Sequence, residues 1–444
     1  MRVPHVVKTS DGAWWAANQS AELAGPAVEV HVAPPISVLV AVTSALAWVF
    51  YEGTIGMLRD AGYEPILVSS PGEQLHRIGR DAGARHAAIR MRREIAPLHD
   101  LLSLWRFYRL MRQMRPMVTD VGTPKAGLLG GVAAWLLGVP CRIYTLHGLR
   151  LETTTGLKRI FLTLTERVAC ACAHRVICVS PSLRQRAIEL KLVSAGKTVV
   201  LGSGSCRGVD VQRFSPQVRD SAQKDYLAKS LGISPAAPVI GFVGRLTREK
   251  GIREIITAFS QLRRKWSSLR LLLVGDFEDG DPVEPITLQQ VETDPGIVHV
   301  GWVSDTAPYY GLMDVLVLPS YREGFPYTPL EAQACGVPVV TTTATGAVDS
   351  VVDGVTGFHV PVGDWEALAA KIDQLLCDPE LRSRMGQRGR ERVVREFRQE
   401  VVGQALIEEY GRLLRGKVGY HIQGHGESPR ESTITAKTHA PKQL

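Results

Sequence analysis

The stretch Val315-Leu316-Val317-Leu318, continued after a short connection by Glu323-Gly324-Phe325-Pro326-Tyr327-Thr328-Pro329-Leu330-Glu331, decides the fold class. Four consecutive β-forming apolar residues read as a buried strand. The Gly and Pro that follow read as a turn, and the next segment reads as a helix ending at Gly336-Val337-Pro338. Strand, turn and helix start together set backbone N–H groups and the positive end of a helix dipole at the carboxyl edge of a sheet. That is where α/β proteins hold phosphates. Glu323 and Glu331 bracket the turn. Being anionic, they repel phosphate and suit the hydroxyls of a sugar or ribose. Two glutamates at this spacing, taken alone, are more often a solvated turn; the neighbouring motifs decide otherwise.

Upstream lie Gly241-Phe242-Val243-Gly244-Arg245-Leu246 with Lys250-Gly251, the strand end Leu271-Leu272-Leu273-Val274-Gly275-Asp276, and His299-Val300-Gly301-Trp302-Val303-Ser304. With the E-x7-E segment, this ordered set resembles the family-4 retaining glycosyltransferases. The resemblance implies the GT-B fold: two Rossmann-like domains whose parallel sheets face each other across a cleft. The first half is similar to the branch that builds bacterial capsule, exopolysaccharide and O-antigen chains. The residues that carry this are Met91-Arg92-Arg93-Glu94-Ile95, Thr123-Pro124-Lys125-Ala126-Gly127 and Tyr144-Thr145-Leu146-His147-Gly148. The resemblance spans residues 36–415.

Length and composition agree with two domains. The chain has 444 residues, 45% hydrophobic and 22% charged, enough for two cores of ordinary globular make-up. Seven scattered cysteines form neither a disulfide framework nor a zinc spacing, and read as reduced thiols of a cytoplasmic protein. No secretory signal pattern opens the sequence, and the apolar run Ile36–Phe50 is short of the roughly 20 residues of a bilayer span. Charge is uneven. Residues 36–225 hold 26 Lys/Arg against 14 Asp/Glu, a net of +12 within a chain of +8, and ten Arg lie between Arg77 and Arg115. No nucleic-acid motif accompanies them, so an anionic membrane or a phosphorylated substrate is the expected partner.

The chain reads as alternating βα units. Strands are expected near Val38–Val42, Pro65–Ser69, Met117–Thr119, Cys141–Thr145, Arg175–Val179 and Thr198–Leu201. A second set is expected near Val239–Val243, Arg270–Val274, Ile297–Val300, Val315–Leu318, Val337–Thr341 and Gly357–Val360. The expected domains are residues 36–225 (acceptor side) and 236–397 (nucleotide-sugar side), joined by a Pro-containing linker, with a helix at 400–415 crossing back. Residues 417–444 read as a polar disordered tail. Residues 1–35 read as the opening of a further βαβ unit, either a fused fragment or a genuine edge strand.

A transferase of this kind must neutralise a departing diphosphate. Arg245 offers a planar fork and Lys250 a mobile point charge, and they could stand where other sugar transferases place a metal, so metal independence is expected. The resemblance implies that Glu331 accepts from ribose hydroxyls and Glu323 from the transferred sugar, that Gly324 and Phe325 offer backbone N–H groups, and that Gly244, Gly301 and Val303 line the donor seat. It also implies that His147 touches the donor sugar, and that the leaving phosphate takes the acceptor's proton. The expected donor is a nucleotide diphosphate-sugar, a UDP-sugar by preference, with no cofactor. Two loops depart from the family pattern. Thr43-Ser44-Ala45-Leu46-Ala47 lacks a glycine pair, and Thr119-Asp120-Val121-Gly122 lacks a His-rich turn.

In the expected helix from Leu98 to Met114, Leu101, Leu104, Trp105, Tyr108 and Met111 share one face, assigned to the sheet. Phe107, Leu110 and Met114 fall among Arg106, Arg109, Arg112 and Arg115, assigned to an anionic lipid surface at the inner face of the plasma membrane. The leading reading is a transferase extending a lipid-linked surface glycan. A nucleotide-sugar 2-epimerase lacks the Arg245/Lys250 with E-x7-E combination, and a degenerate assembly partner would not bind nucleotide sugar.

Overall fold

The computed structural model describes residues 35–92, 94, 96–219 and 222–418. The readings of residues 1–34 as a βαβ opening and of 419–444 as a tail lie outside the described residues. The first sheet has seven parallel strands: β1 (Ile36–Ala41), β2 (Tyr63–Ser69), β3 (Arg85–Ala88), β4 (Val118–Gly122), β5 (Cys141–Leu146), β6 (Arg175–Cys178) and β7 (Thr198–Val199), in the order β3-β2-β1-β4-β5-β6-β7. The second has six: β8 (Val239–Val243), β9 (Arg270–Val274), β10 (Ile297–Gly301), β11 (Val315–Leu318), β12 (Val339–Thr342) and β13 (Gly357–Val360), in the order β10-β9-β8-β11-β12-β13. Each sheet reverses its strand order beside its first strand, and such a switch point is where open α/β sheets bind ligands. The runs are almost continuously apolar because helices cover both sheet faces; β8, for example, is buried throughout.

Two strands differ from the sequence expectation for readable reasons. β3 was not anticipated, because Arg85-His86-Ala87-Ala88 is a mostly exposed edge with no apolar alternation. β4 runs on through Asp120 to Gly122, residues that look like a turn. Asp120 is fully buried yet satisfied, accepting from Thr145 Oγ1 at 2.7 Å and Tyr410 Oη at 2.6 Å. Burial pushes its carboxyl up to about 6, against those two hydrogen bonds.

The linker leaving β7 and the chain returning from the second sheet are paired. Val209 N donates to Phe397 O at 2.7 Å, and Gln399 N donates to Val209 O at 3.2 Å. The last helix, Gln399–Val418, includes Lys417 and Val418, two residues read from sequence as tail. It carries Tyr410 onto Asp120 and the buried Glu409 onto Arg175 at 2.9 Å.

The helix Pro97–Met114 keeps only part of its expected faces: Met111 is buried and Leu104 and Tyr108 partly buried as expected, but Phe107, expected outward, is buried too. Phe107 and Met111 are buried with Ser103, whereas Leu101 and Trp105 are exposed. The helix rests on its neighbour Pro124–Leu136. Ser103 can be buried because its hydroxyl donates to the carbonyls of Arg90 and His99, each at 2.8 Å.

Candidate active site

The carboxyl edge of the second sheet is assembled by backbone bonds. Gly244 N donates to Val274 O at 2.9 Å, Leu246 N to Asp276 O at 2.8 Å, and Gly275 N to Gly301 O at 2.8 Å. Tyr321 N donates to Glu249 O at 2.9 Å, which ties the turn bearing Lys250 to the loop bearing Glu323. Helix Tyr327–Ala334 begins directly after that loop, with Pro326 at the position before its first residue. Gly244, Arg245, Lys250 and the segment Glu323–Phe325 therefore share the region around β8 and β11. Gly301 ends β10 and Val303 lies just beyond it, three strands away from β11. The Phe325 side chain is buried against Phe397 (centroids 5.4 Å apart), so it offers the cleft only backbone.

The charged side chains meet one another. Lys250 Nζ is ion-paired with Glu323 Oε1, which also accepts from Ser320 Oγ at 2.7 Å. Arg245 is ion-paired with Glu278. Glu331 is buried; Tyr310 Oη donates to its Oε2 at 2.8 Å and Arg207 Nη2 to its Oε1 at 2.9 Å. Glu278 and Arg207 escaped the sequence reading. One sits in the Gly-rich connection after β9 and the other in the Gly-Ser connection after β7. The only signal available was a charged residue beside glycines.

The first domain closes over this edge. His147, just past β5, is half-buried, with its ring stacked on Phe50 at 4.8 Å between centroids. Burial pushes its pKa down to about 4, so the imidazole is neutral at physiological pH. Among the described residues its Nε2 has no hydrogen-bond partner. That nitrogen faces Gly122, where an added Cβ would lie 2.6 Å from Nε2 and 3.1 Å from Tyr51 Oη. The absent side chain thus leaves a notch with two polar atoms turned toward it. Tyr51 belongs to the 3-10 helix Ala45–Tyr51, which follows β1 where the glycine pair was missing.

Backbone meets backbone across the cleft. A Cβ on Gly324 would stand 1.9 Å from the His147 carbonyl oxygen, so only glycine permits this approach. Flanking bonds hold the same closure: Thr345 Oγ1 to Glu152 Oε1 at 3.0 Å, Gly346 N to Ser182 Oγ at 2.7 Å, and Ser182 to Asp349.

Two Rossmann-like domains, with a cationic, helix-capped edge facing a histidine across a cleft, define a nucleotide-sugar transferase architecture. The family descriptions "Glycosyl transferase 4-like domain" and "Glycosyl transferases group 1" match residues 47–204 and 223–392. The capsular polysaccharide biosynthesis glycosyltransferase CapM of Staphylococcus aureus is 37% identical over 368 residues, covering 83% of this chain and 95% of that protein. An Escherichia coli UDP-Gal:alpha-D-GlcNAc-diphosphoundecaprenol alpha-1,3-galactosyltransferase is 27% identical, covering 69% of this chain and 78% of that one. In fold, the chain is similar to Anabaena Alr3699/HepE in complex with UDP-glucose: TM-score 0.70, 21% identity, and coverage of 84% of this chain and 99% of that one. The chain belongs to the family-4 glycosyltransferases and has their GT-B fold.

Proposed function

We propose that this protein transfers a sugar from a UDP-sugar to a hydroxyl of a lipid-linked glycan, retaining the donor's anomeric configuration, during assembly of a bacterial surface polysaccharide. The observation that carries this reading is the paired set Lys250–Glu323 and Arg207–Glu331 around one helix start, with His147 opposite. The UDP-glucose in the Anabaena structure and the diphosphoundecaprenol acceptor in the E. coli relative's name support the choice of donor and acceptor class.

Carboxylates hold the two cations. When a diphosphate arrives, Arg245 and Lys250 exchange those partners for phosphate oxygens, where negative charge builds as the sugar leaves. Glu323, freed from Lys250 and still held by Ser320, then accepts from hydroxyls of the transferred sugar. The backbone N–H groups of Gly324 and Phe325, at the positive end of helix Tyr327–Ala334, face the same anion. Neutral His147 meets a sugar hydroxyl rather than a phosphate. The departing phosphate accepts the proton of the attacking hydroxyl, so the step requires no side-chain base.

Among the described residues no helix is long and apolar enough to cross a membrane. The surface supports a docked position at the cytoplasmic face instead. Leu98, Leu101 and Trp105 on helix Pro97–Met114, and Leu157, Ile160 and Phe161 on helix Gly156–Cys172, are all exposed. Both helices pack on Pro124–Leu136 between them. Arg106, Arg109, Arg112, Lys158 and Arg159 are exposed on the same two helices. Apolar side chains ringed by cations suit an anionic bilayer. Of these, Leu101 and Trp105 are residues that spacing had assigned to the sheet, and the buried Phe107, assigned to the lipid side, is not among them.

The test is a panel of nucleotide sugars presented to the purified protein, with nucleoside diphosphate release as the readout. A donor that releases its diphosphate faster when a lipid-diphosphate-linked sugar is added supports the reading. Release from no member of the panel defeats it.

A further inference from the structure

The partner on Glu331 Oε1 comes from the connection after β7, on the first-domain side of the cleft. Arg207 Nη2 donates to Glu331 Oε1 at 2.9 Å while its Nη1 donates to Glu52 Oε2 at 2.8 Å. One planar guanidinium therefore joins a carboxylate beside the first sheet to one on the helix following β11, a geometry lysine does not reproduce. Its carbon lies 4.4 Å from the centroid of the Tyr327 ring. Tyr327 and Glu331 are one turn apart on the same helix, so a cation stacked on the first reaches the second. The adjacent Cys206 Sγ contacts the Tyr327 hydroxyl, giving this loop a second grip on the helix.

An ionised carboxylate offers about four lone-pair positions. Arg207 uses one on Oε1 and Tyr310 one on Oε2. Among the described residues one direction remains on each oxygen, which is what two neighbouring hydroxyls need. The side-chain exposures of Arg207 and Glu331 are 11% and 7%, so a charge left alone on either would be costly.

We propose that Arg207 is a positioning residue for the donor: it holds Glu331 so that the remaining lone pairs meet the 2′- and 3′-hydroxyls of the nucleotide's ribose, and through Glu52 it ties that grip to cleft closure. This deepens the proposed function and rests on Glu331 being the ribose acceptor. A purely structural staple between the domains would change stability and closure, but would treat nucleotides with and without a 2′-hydroxyl alike.

The experiment measures, by calorimetry, the affinities of wild type, Arg207→Met, Arg207→Lys and Glu331→Gln for UDP, GDP and ADP and for their 2′-deoxy counterparts. Hydrogen bonds to a charged acceptor set the expected ribose preference of the wild type at about ten- to a hundredfold for the nucleotide it binds best. Arg207→Met and Glu331→Gln should both lose most of that preference, and Arg207→Met should raise the donor KM more than it lowers kcat. Arg207→Lys should fall between, because an ammonium cannot stack on Tyr327 and span both carboxylates. If Arg207→Met does not melt cooperatively, Arg207→Lys is read alone, and a wild-type preference in it overturns the proposal. Loss of preference in Glu331→Gln but not in Arg207→Met removes Arg207 while leaving Glu331 in place. Equal weakening of both nucleotide forms by Arg207→Met marks a staple and overturns the proposal. A wild type that binds none of the nucleotides, or shows no ribose preference, removes the Glu331 reading and the proposal with it.

Discussion

Replacing Gly324 with alanine puts a methyl group where the two domains touch. A Cβ there would lie 1.9 Å from the carbonyl oxygen of His147 and 2.6 Å from its carbonyl carbon, while ordinary contact begins at 3.4 Å. The shortfall at the oxygen is about 1.5 Å. The clashing atoms are backbone, so no rotamer change relieves it, and the cleft must open by roughly that amount. Misplacing reacting groups by about 1 Å can cost on the order of a hundredfold in rate. Gly324→Ala should therefore lower kcat about a hundredfold or more. Nucleotide affinity should fall by about tenfold at most, well short of the loss in kcat, because Arg245 and Lys250 lie outside the clash and only the Arg207–Glu331 grip spans the cleft. Nucleoside diphosphate release under saturating donor reads the first quantity and calorimetry with the free nucleotide the second, with a thermal melt confirming the fold. Wild-type turnover in a folded Gly324→Ala protein would refute the reasoning. A fall in nucleotide affinity as large as the fall in kcat would also refute it, since the methyl would then be blocking the seat rather than the closure.

Lys250→Ala should reduce kcat by about 10²- to 10³-fold, the usual cost of one preorganised donor at a developing charge, while wild-type turnover should persist in EDTA. Loss in EDTA restored by Mg²⁺ or Mn²⁺ would contradict the assignment of diphosphate neutralisation to Arg245 and Lys250. Reversing Arg106, Arg109 and Arg112 to Glu should abolish sedimentation with anionic vesicles at low salt without changing nucleotide affinity, each cation contributing about 1 kcal/mol to a salt-screened attraction; wild-type protein that ignores such vesicles would sink the docking surface. Glu166 supplies a pH test of the first core. Burial lifts its carboxyl from 4.5 to about 7, against the hydrogen bond it accepts from Tyr144 at 2.7 Å. Because the folded pKa is the higher one, its contribution is complete below about pH 4.5 and lost as pH rises through about 7. Glu166→Gln should accordingly gain stability relative to wild type by on the order of 3 kcal/mol between pH 4.5 and 8 in urea unfolding, and parallel pH curves would contradict the shift.

Sequence legibility followed the range of the interactions. The strands β8, β9 and β11 could be read directly, because burial on both faces demands unbroken apolar runs. The carboxyl edge was readable for the same reason, since Gly244-Arg245 and Glu323-Gly324 follow those runs immediately. Side-chain pairing was not. Glu278 meets Arg245, and Arg207 meets Glu331, across long stretches of chain, and no local pattern announces either pair. The Pro97–Met114 helix shows how spacing alone misleads. Its apolar residues fit two faces about equally, and the backbone acceptors that make Ser103 buriable lie outside the helix's own apolar pattern. The closeness of His147 and Gly324 was likewise invisible until the two sheets faced each other. What the sequence does carry is glycine at position 324 and glycine at position 122, each leaving room that a partner fills or a ligand's hydroxyl could take.

The measurement that tests the central claim most directly is the anomeric configuration of the product, read by NMR after incubation with the active nucleotide sugar and a lipid-diphosphate-linked acceptor. The account predicts one new glycosidic bond per nucleoside diphosphate released, with the configuration the sugar had in its donor. Diphosphate release with no new glycosidic bond, or a product of inverted configuration, would contradict it.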